Sequence, residues 1–381
     1  MDADKTFCEF FAGIGLVGEG LRASGWACVY ANDIAPGKRE LYEALNGPSP
    51  RYHLEDVNRT AEIVARIPGR PALATASFPC VDLSLAGHYR GLDGRESSTF
   101  FAFAEVLRTL GARRPPLVLL ENVPGFLTSR QGRDFVTAAE TLAGLGYRLD
   151  AFVLDARHFA PQSRRRVFVV GAAEEIPAPA RPAFQPGILR PANLVKILST
   201  LRLPTGWLNL DLPDPPERGV RLEDVIDRDD AQEWWSKVEV DRHCRMMSED
   251  HRRRVNELRA GATARIGTAF RRVRSGGQRT EVRFDGLAGC LRTPRGGSGK
   301  QIVIVIDAGR LRMRWMSPRE YARMQGVPDF PLVGGRNQQL FGFGDAVCVP
   351  AVQWVDRQVL TPLYESAQAS RGNGHAGQPK S

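Results

Sequence analysis

The chain has 381 residues, 43% of them hydrophobic, and a formal net charge of +9. That is enough apolar content for a full core divided between two domains, and the positive balance favours a polyanionic partner. No apolar run approaches the roughly eighteen residues that cross a bilayer, Met1-Asp2-Ala3-Asp4-Lys5 is no secretory leader, and the six cysteines (8, 28, 80, 244, 290, 348) form no Cys-x-x-Cys pair, so a membrane protein, a secreted disulfide scaffold and a zinc site are not expected, and a reduced cytoplasmic setting is.

Lys5-Thr6-Phe7-Cys8-Glu9-Phe10-Phe11 reads as a strand running into the glycine turn Ala12-Gly13-Ile14-Gly15-Leu16-Val17-Gly18 and then a helix to about Ser24. Strand, glycine turn and helix let a backbone approach a nucleotide closely. The spacing Gly13-x-Gly15-x-x-Gly18, with Asp33 ending the next strand (Val29 to Asp33), is also a dinucleotide fingerprint, so an NAD or FAD enzyme enters the comparison. Asp56, in Glu55-Asp56-Val57, is by itself an ordinary turn or cap residue.

The apolar run Pro71 to Thr75 predicts a buried strand that ends in Ser77-Phe78-Pro79-Cys80, where Pro79 fixes the backbone just before a thiol. Catalytic groups gather at the carboxyl ends of strands in open α/β sheets, which makes Cys80 a candidate nucleophile. A long segment with three glycines, Ala86 to Ser98, has no periodicity and predicts a lid, with His88, Arg90 and Arg95 on it. Thr99 to Leu110 has helical spacing. A second buried strand, Leu117 to Leu120, ends in Glu121-Asn122-Val123-Pro124-Gly125. In Gln162-Ser163-Arg164-Arg165-Arg166, ahead of the strand Val167 to Val170, alternation puts Arg164 and Arg166 on one side. A thiolate, an acid and two guanidiniums suit addition to an electron-poor ring: the cations lower the thiol pKa, and the acid meets the ring nitrogen that gains charge.

Beyond a Pro/Ala stretch at Ile176 to Pro182, residues 211–250 hold thirteen Asp/Glu against six Arg/Lys, whereas 251–300 hold thirteen Arg/Lys against three Asp/Glu. Arg271, Arg272, Arg274, Arg292 and Arg295, among glycines, are candidates for phosphate and base-edge contacts. Ser317-Pro318-Arg319-Glu320 predicts a capped helix start with Gly326 as its stop, and Arg314 and Arg319 are given no chemistry.

Pro79-Cys80, Glu121-Asn122-Val123 and Gln162-Ser163-Arg164-Arg165-Arg166, in this order and spacing, resemble the signature motifs of the cytosine-5 DNA methyltransferases. The resemblance covers all but about 180–300 and the last fifteen or so residues. It implies an α/β architecture: a Rossmann-like S-adenosylmethionine-dependent methyltransferase domain, with a mixed sheet flanked by helices, and a smaller, mostly irregular or β target-recognition domain. It places the catalytic domain at 1–180, completed by about 335–365, the recognition domain at 181–310, a hinge at 311–334 and a disordered tail at 366–381.

By the same resemblance S-adenosylmethionine lies against Phe11, Gly13, Gly15, Asp33, Asp56, Pro79 and Asp345, with Phe11 on the adenine, Asp33 at the ribose and Asp56 at the adenine amino group. Cys80 attacks C6 of a flipped-out cytosine in a specific duplex DNA sequence, Glu121 engages N3, and Arg164 and Arg166 stabilise ring and thiolate. No metal is involved. Duplex DNA is the partner, a cognate restriction endonuclease is left open, and a monomer is expected. Three residues depart from the family pattern: Val81 replaces a Gln, Asp345 an Asn, which leaves an additional carboxylate beside the methionine end of the cofactor, and Ser77 a Gly. The alternatives are a sequence-specific DNA-binding protein with a vestigial site and an RNA cytosine-5 methyltransferase.

Overall fold

The computed structural model describes residues 5–79, 98–178, 183–229, 232–274, 276–292 and 299–375. Seven strands, β1 (Thr6–Phe10), β2 (Ala27–Asp33), β3 (Tyr52–Leu54), β4 (Leu73–Ala76), β5 (Leu117–Asn122), β6 (Tyr147–Asp155) and β7 (Arg165–Ala173), form one sheet in the order β3-β2-β1-β4-β5-β7-β6. The first five run parallel, and β7 lies antiparallel between β5 and β6. Parallel strands are covered on both faces, which is why β4 and β5 are buried along their whole length and read as unbroken apolar runs. The strand order reverses direction between β1 and β4, and ligands of open α/β sheets sit outside the carboxyl ends at such a switch point. The glycine turn leaves β1, and the Pro79 segment leaves β4, on either side of it.

One face of the sheet is covered by helix Ser98–Leu110, whose Phe100, Phe103, Ala104 and Leu107 are buried at helical spacing, and by helix Arg133–Gly144, which buries Phe135, Ala138, Ala139 and Leu142. The other face is covered by segments far apart in sequence. Helix Val349–Val355 packs on helix Leu16–Arg22 so closely that a Cβ on Gly20 would lie 2.6 Å from the Val352 side chain. The buried Trp26 indole donates to Asp356 Oδ1 at 2.7 Å. Residues near the end of the chain thus pack directly on the first helix and on Trp26.

A second, antiparallel sheet has the order β11-β10-β8-β9: β8 (Arg265–Arg274), β9 (Gly277–Arg283), β10 (Gln301–Asp307) and β11 (Arg310–Trp315). Helices Lys237–Arg245 and Glu249–Ala260, capped by Ser236 and Ser248, accompany it. Its limits differ from the expected ones. Helix Ala192–Thr200 buries Leu194 and Leu198 in the core of the first sheet, so the stretch after 181 begins as part of the first body. Arg310–Trp315 is an edge strand of the second sheet, which moves the start of the expected hinge beyond 315. Ser317 and Glu320 form a capping box on helix Pro318–Met324, and Glu320 forms a buried two-bond pair with Arg314, consistent with a purely structural role for that arginine.

The expected disordered tail is corrected in part: Thr361–His375 is helical. Leu363 and Ala367, a turn apart, are buried, and Ser366 donates to Pro177 O at 2.6 Å, which anchors a segment whose composition alone suggests disorder. Residues 376–381 lie outside the described residues, as does the expected lid with His88, Arg90 and Arg95.

Glu9, in the middle of β1, is 1% exposed, and its Oε2 has no hydrogen-bond partner. Burial pushes its carboxyl up to about 8, against the pull of the Gly18 and Val17 amides and with a smaller push from Asp33. A folded pKa above the unfolded one means that the native state holds the additional proton, so stability falls as pH rises from the ordinary carboxylate range to about 8. At about 1.4 kcal/mol per unit of displacement, the loss is a few kcal/mol. Glu9→Gln should flatten this fall, so that melting temperatures of variant and wild type diverge between pH 5 and 8; parallel profiles would show that the Glu9 carboxyl titrates normally.

Candidate active site

The elements present their ends along one edge. Register pairs Phe10 with Asn32 and Ala76, Asp33 with Leu54, and Ala76 with Leu120, so the ends of β3, β2, β1, β4 and β5 lie side by side. Because β7 is antiparallel, its beginning meets the end of β5, with Val167 opposite Asn122. This brings Arg166 to Glu121: Nε lies 2.8 Å from Oε1, and both side chains are largely covered. Asn122 closes the neighbouring gap by donating to Phe78 O at 3.4 Å, while Phe78 packs on Phe100 and Phe126. Pro79 is half-buried at this edge, and Cys80 lies outside the described residues.

Arg164 does not join Arg166 on a shared face. It precedes β7, its side chain is 1% exposed, and its guanidinium donates to Leu291 O at 2.8 Å, Gly344 O at 3.2 Å, Asp345 O at 3.5 Å and Ala346 O. Its own N–H donates to Asp155 Oδ1 at 2.8 Å. Five donors in a fixed fork suit a set of carbonyls converging from two distant segments. Gln162 does the same beside it, donating to Met324 O at 2.6 Å and to Gln325 Oε1 at 3.0 Å, while Gln325 donates to Phe343 O and Ala346 O. The Gln162 to Arg164 segment thus ties the catalytic edge to 288–291, 324–325 and 343–346. Of the two arginines, Arg166 pairs with Glu121, while Arg164 is engaged by backbone carbonyls.

Sequence reasoning passed over two further residues. Cys290 Sγ lies 3.5 Å from an Arg164 Nη1. Burial alone would push this thiol up, but the guanidiniums of Arg164, Arg166 and Arg292 outweigh it and hold it below the ordinary thiol range. Lys38, in the first turn of helix Pro36–Asn46, bridges Asp33 and Asp345. No local pattern marks either residue, since the partners are remote in sequence.

The turn after β1 suits an adenosine-type ligand. Phe11 is a non-glycine residue at φ 58, an uncommon conformation, and its partly buried side chain packs against the core that holds Phe10 and Phe78. Gly15 is at φ 82, and a Cβ there would lie 2.7 Å from the Tyr42 ring, so both space and dihedral demand glycine. Asp33 accepts from Gly13 N at 3.0 Å and from Ala35 N at 2.9 Å, which fixes its carboxylate at the turn with lone pairs to spare. Asp56 follows β3 at the same edge and accepts from Asn58 N at 3.0 Å, a turn arrangement.

On the second sheet the expected arginines divide. The Arg271 guanidinium lies 5.0 Å over the Trp315 ring and is partly buried. Arg272 and Arg274 are exposed on the β8–β9 hairpin, Arg274 pairing with Glu281 at 3.0 Å, and Arg292 is exposed. Arg295 lies outside the described residues. No helix among the described residues is long and apolar enough to cross a membrane.

A seven-stranded mixed sheet with a glycine turn at its switch point and an acid–guanidinium pair at the end of β5, one strand beyond it, has a Rossmann-like architecture. Residues 5–361 match the family model of the C-5 cytosine-specific DNA methylases, and the chain belongs to that family. It is 25% identical over 378 residues to the Type II methyltransferase M.HpaII of Haemophilus parainfluenzae, covering 94% of this chain and 90% of that one. It is likewise 25% identical over 360 residues to the Type II methyltransferase M.HhaI of Haemophilus parahaemolyticus, covering 94% of each. Among solved structures, the Dnmt2 methyltransferase of S. pombe shares the fold with a TM-score of 0.61 at 17% identity, covering 94% of this chain and 98% of that one. The protein is a DNA (cytosine-5-)-methyltransferase that depends on S-adenosylmethionine.

Proposed function

We propose that this enzyme methylates a cytosine flipped out of a specific duplex DNA sequence, through a covalent bond between Cys80 and C6 of the base. The observation that carries this reading is the Glu121–Arg166 pair at the switch-point edge, one strand away from the segment that leads into Cys80. A stacked cytosine shields C5 and C6, so the base must leave the duplex to meet groups at the bottom of a cleft. The Cys80 thiolate adds to C6, and Glu121 carries a proton to N3, where the electron pair displaced by the addition accumulates. Arg166 orients Glu121 and favours the thiolate electrostatically. S-adenosylmethionine, held at Phe11, Gly13, Gly15, Asp33, Asp56, Pro79 and Asp345, supplies the methyl group to C5. Loss of the C5 proton to water then supplies the pair that re-forms the C5–C6 double bond and expels the Cys80 sulfur as thiolate, and N3 gives its proton back to Glu121. Arg164 positions the site by holding the 344–346 segment.

The β8–β9 hairpin suits the duplex. Arg272 and Arg279 are directly opposite each other across its strands and both are exposed, a like-charge pairing that costs stability unless a polyanion neutralises it. Arg272, Arg274, Arg292 and Arg295 are assigned to DNA, with Arg271 held back by Trp315 as a support. The Type II names of the relatives favour a restriction-modification setting, with the cognate endonuclease left open; a cytoplasmic, monomeric enzyme is proposed with it.

Fluorine at C5 cannot leave as the proton does, so duplex DNA carrying 5-fluorocytosine should trap the enzyme in a complex that survives denaturing electrophoresis, in the presence of S-adenosylmethionine. Bisulfite sequencing of DNA from a methylation-free host should give one recurring sequence. Absence of any adduct together with specific DNA binding would favour a vestigial site, and trapping only on structured RNA would move the substrate to RNA.

A further inference from the structure

The Asn-to-Asp departure at Asp345 has a partner that the sequence did not announce. Lys38 Nζ lies 3.2 Å from Asp345 Oδ2 and 3.6 Å from Asp33 Oδ2, so two carboxylates share one ammonium. The lysine stem crosses the glycine turn, its Cδ 4.0 Å from where a Cβ on Gly13 would stand. The separation is set by the backbone as well: Gln338 donates to Gly37 O at 2.9 Å and to Glu40 at 2.6 Å, clamping helix Pro36–Asn46 to helix Arg336–Asp345, which bears Asp345 at its end. Burial would lower the Lys38 pKa, but the two carboxylates reverse this and raise it, so the ammonium stays charged. The row therefore holds two negative charges and one positive.

The donor S-adenosylmethionine carries a sulfonium, an ammonium and a carboxylate, one net positive charge. The product S-adenosylhomocysteine has lost the sulfonium charge and is neutral overall. A site that differs by one charge must weigh these two ligands differently, whereas contacts to adenine and ribose are common to both. We propose that the Lys38–Asp345 pair sets the preference between donor and product, with Asp345 drawing the sulfonium form and Lys38 limiting that pull so that the methyl donor is not favoured at the expense of the shared contacts. Lys38 is thus a selectivity residue. The inference rests on the reading that the Gly13–Asp33 turn holds the cofactor.

Isothermal titration of the full-length protein with each ligand tests it. A unit charge several ångströms away in a half-exposed site changes affinity by about three- to tenfold. Lys38→Met should raise the ratio of product Kd to donor Kd by that factor, Asp345→Asn should lower it by a similar factor, and the double variant should return near the wild-type ratio. Each shift should shrink in high salt. A ratio that stays within about twofold of wild type in both single variants, even if both affinities fall, would overturn the proposal, because a merely structural pair weakens donor and product alike. Shifts in the same direction would overturn it too. If Lys38→Met does not fold, Asp345→Asn decides alone, since that side chain is 44% exposed and the change is nearly isosteric. If the wild-type protein binds neither ligand, the cofactor-site reading itself fails, a result distinct from an unchanged ratio.

Discussion

Cys80→Ser should abolish methyl transfer, by at least about a thousandfold, while leaving S-adenosylmethionine affinity within a factor of about two. A thiol is partly ionised near neutral pH, and a neighbouring guanidinium raises that fraction, whereas a serine hydroxyl stays protonated without a dedicated base. Phe78, two residues ahead of Cys80 in sequence, is buried between Phe100 and Phe126, Asn122 donates to its carbonyl, and the Glu121–Arg166 pair stands at the end of the adjacent strand. None of these contacts involves the sulfur, so the variant should fold and bind cofactor normally. Single-turnover methyl incorporation and calorimetry separate the two effects. Methylation by the serine variant within about tenfold of wild type would remove Cys80 from the chemistry, and loss of cofactor binding in parallel would indicate that the substitution acts through structure.

Arg164→Ala should destabilise the protein by about 3–5 kcal/mol, with activity lost even below the melting transition. Truncation empties a large buried volume, leaves the carbonyls of Leu291 and Gly344 without this donor and that of Ala346 with Gln325 in its place, and each buried unsatisfied group costs about 1–3 kcal/mol. Arg164→Lys should recover only part of the loss, because one ammonium cannot meet carbonyls that converge from two segments in a planar fork. Urea denaturation measures the stability, and cofactor affinity reports whether 344–346 has come away. Equal stability of the Ala variant and wild type would mean that the carbonyls find other donors.

Arg164 also shows where sequence reasoning stopped. The Gln-x-Arg-x-Arg pattern was legible as a motif, and alternation placed both arginines on one side. The strand begins only at Arg165, and the preceding residues pair with Ala288 instead. Nothing within the motif says that the acceptors lie 127 and 180 residues away. Features set by local rules read well: the apolar runs of β4 and β5, the glycine turn after β1, and the Ser317–Glu320 capping box on its helix. Features set by tertiary contact did not. The 366–375 stretch has a polar, glycine-rich composition, and its helix continues one that meets the core through Leu363 and Ala367. Lys38 resembles a solvated helix residue until the chain returns to bring Asp345 beside it.

The first sheet is sealed by residues that are made late. Trp26 waits for Asp356, and Arg164 waits for 344–346. At a ribosomal pace of about 5–20 residues per second, the 180 residues between Arg164 and Gly344 take about 10–35 seconds to synthesise. During that interval one face of the nascent first sheet lacks the segments that cover it in the folded chain. A chain ending before residue 344 should therefore transfer no methyl group, because it lacks the carbonyls that hold Arg164.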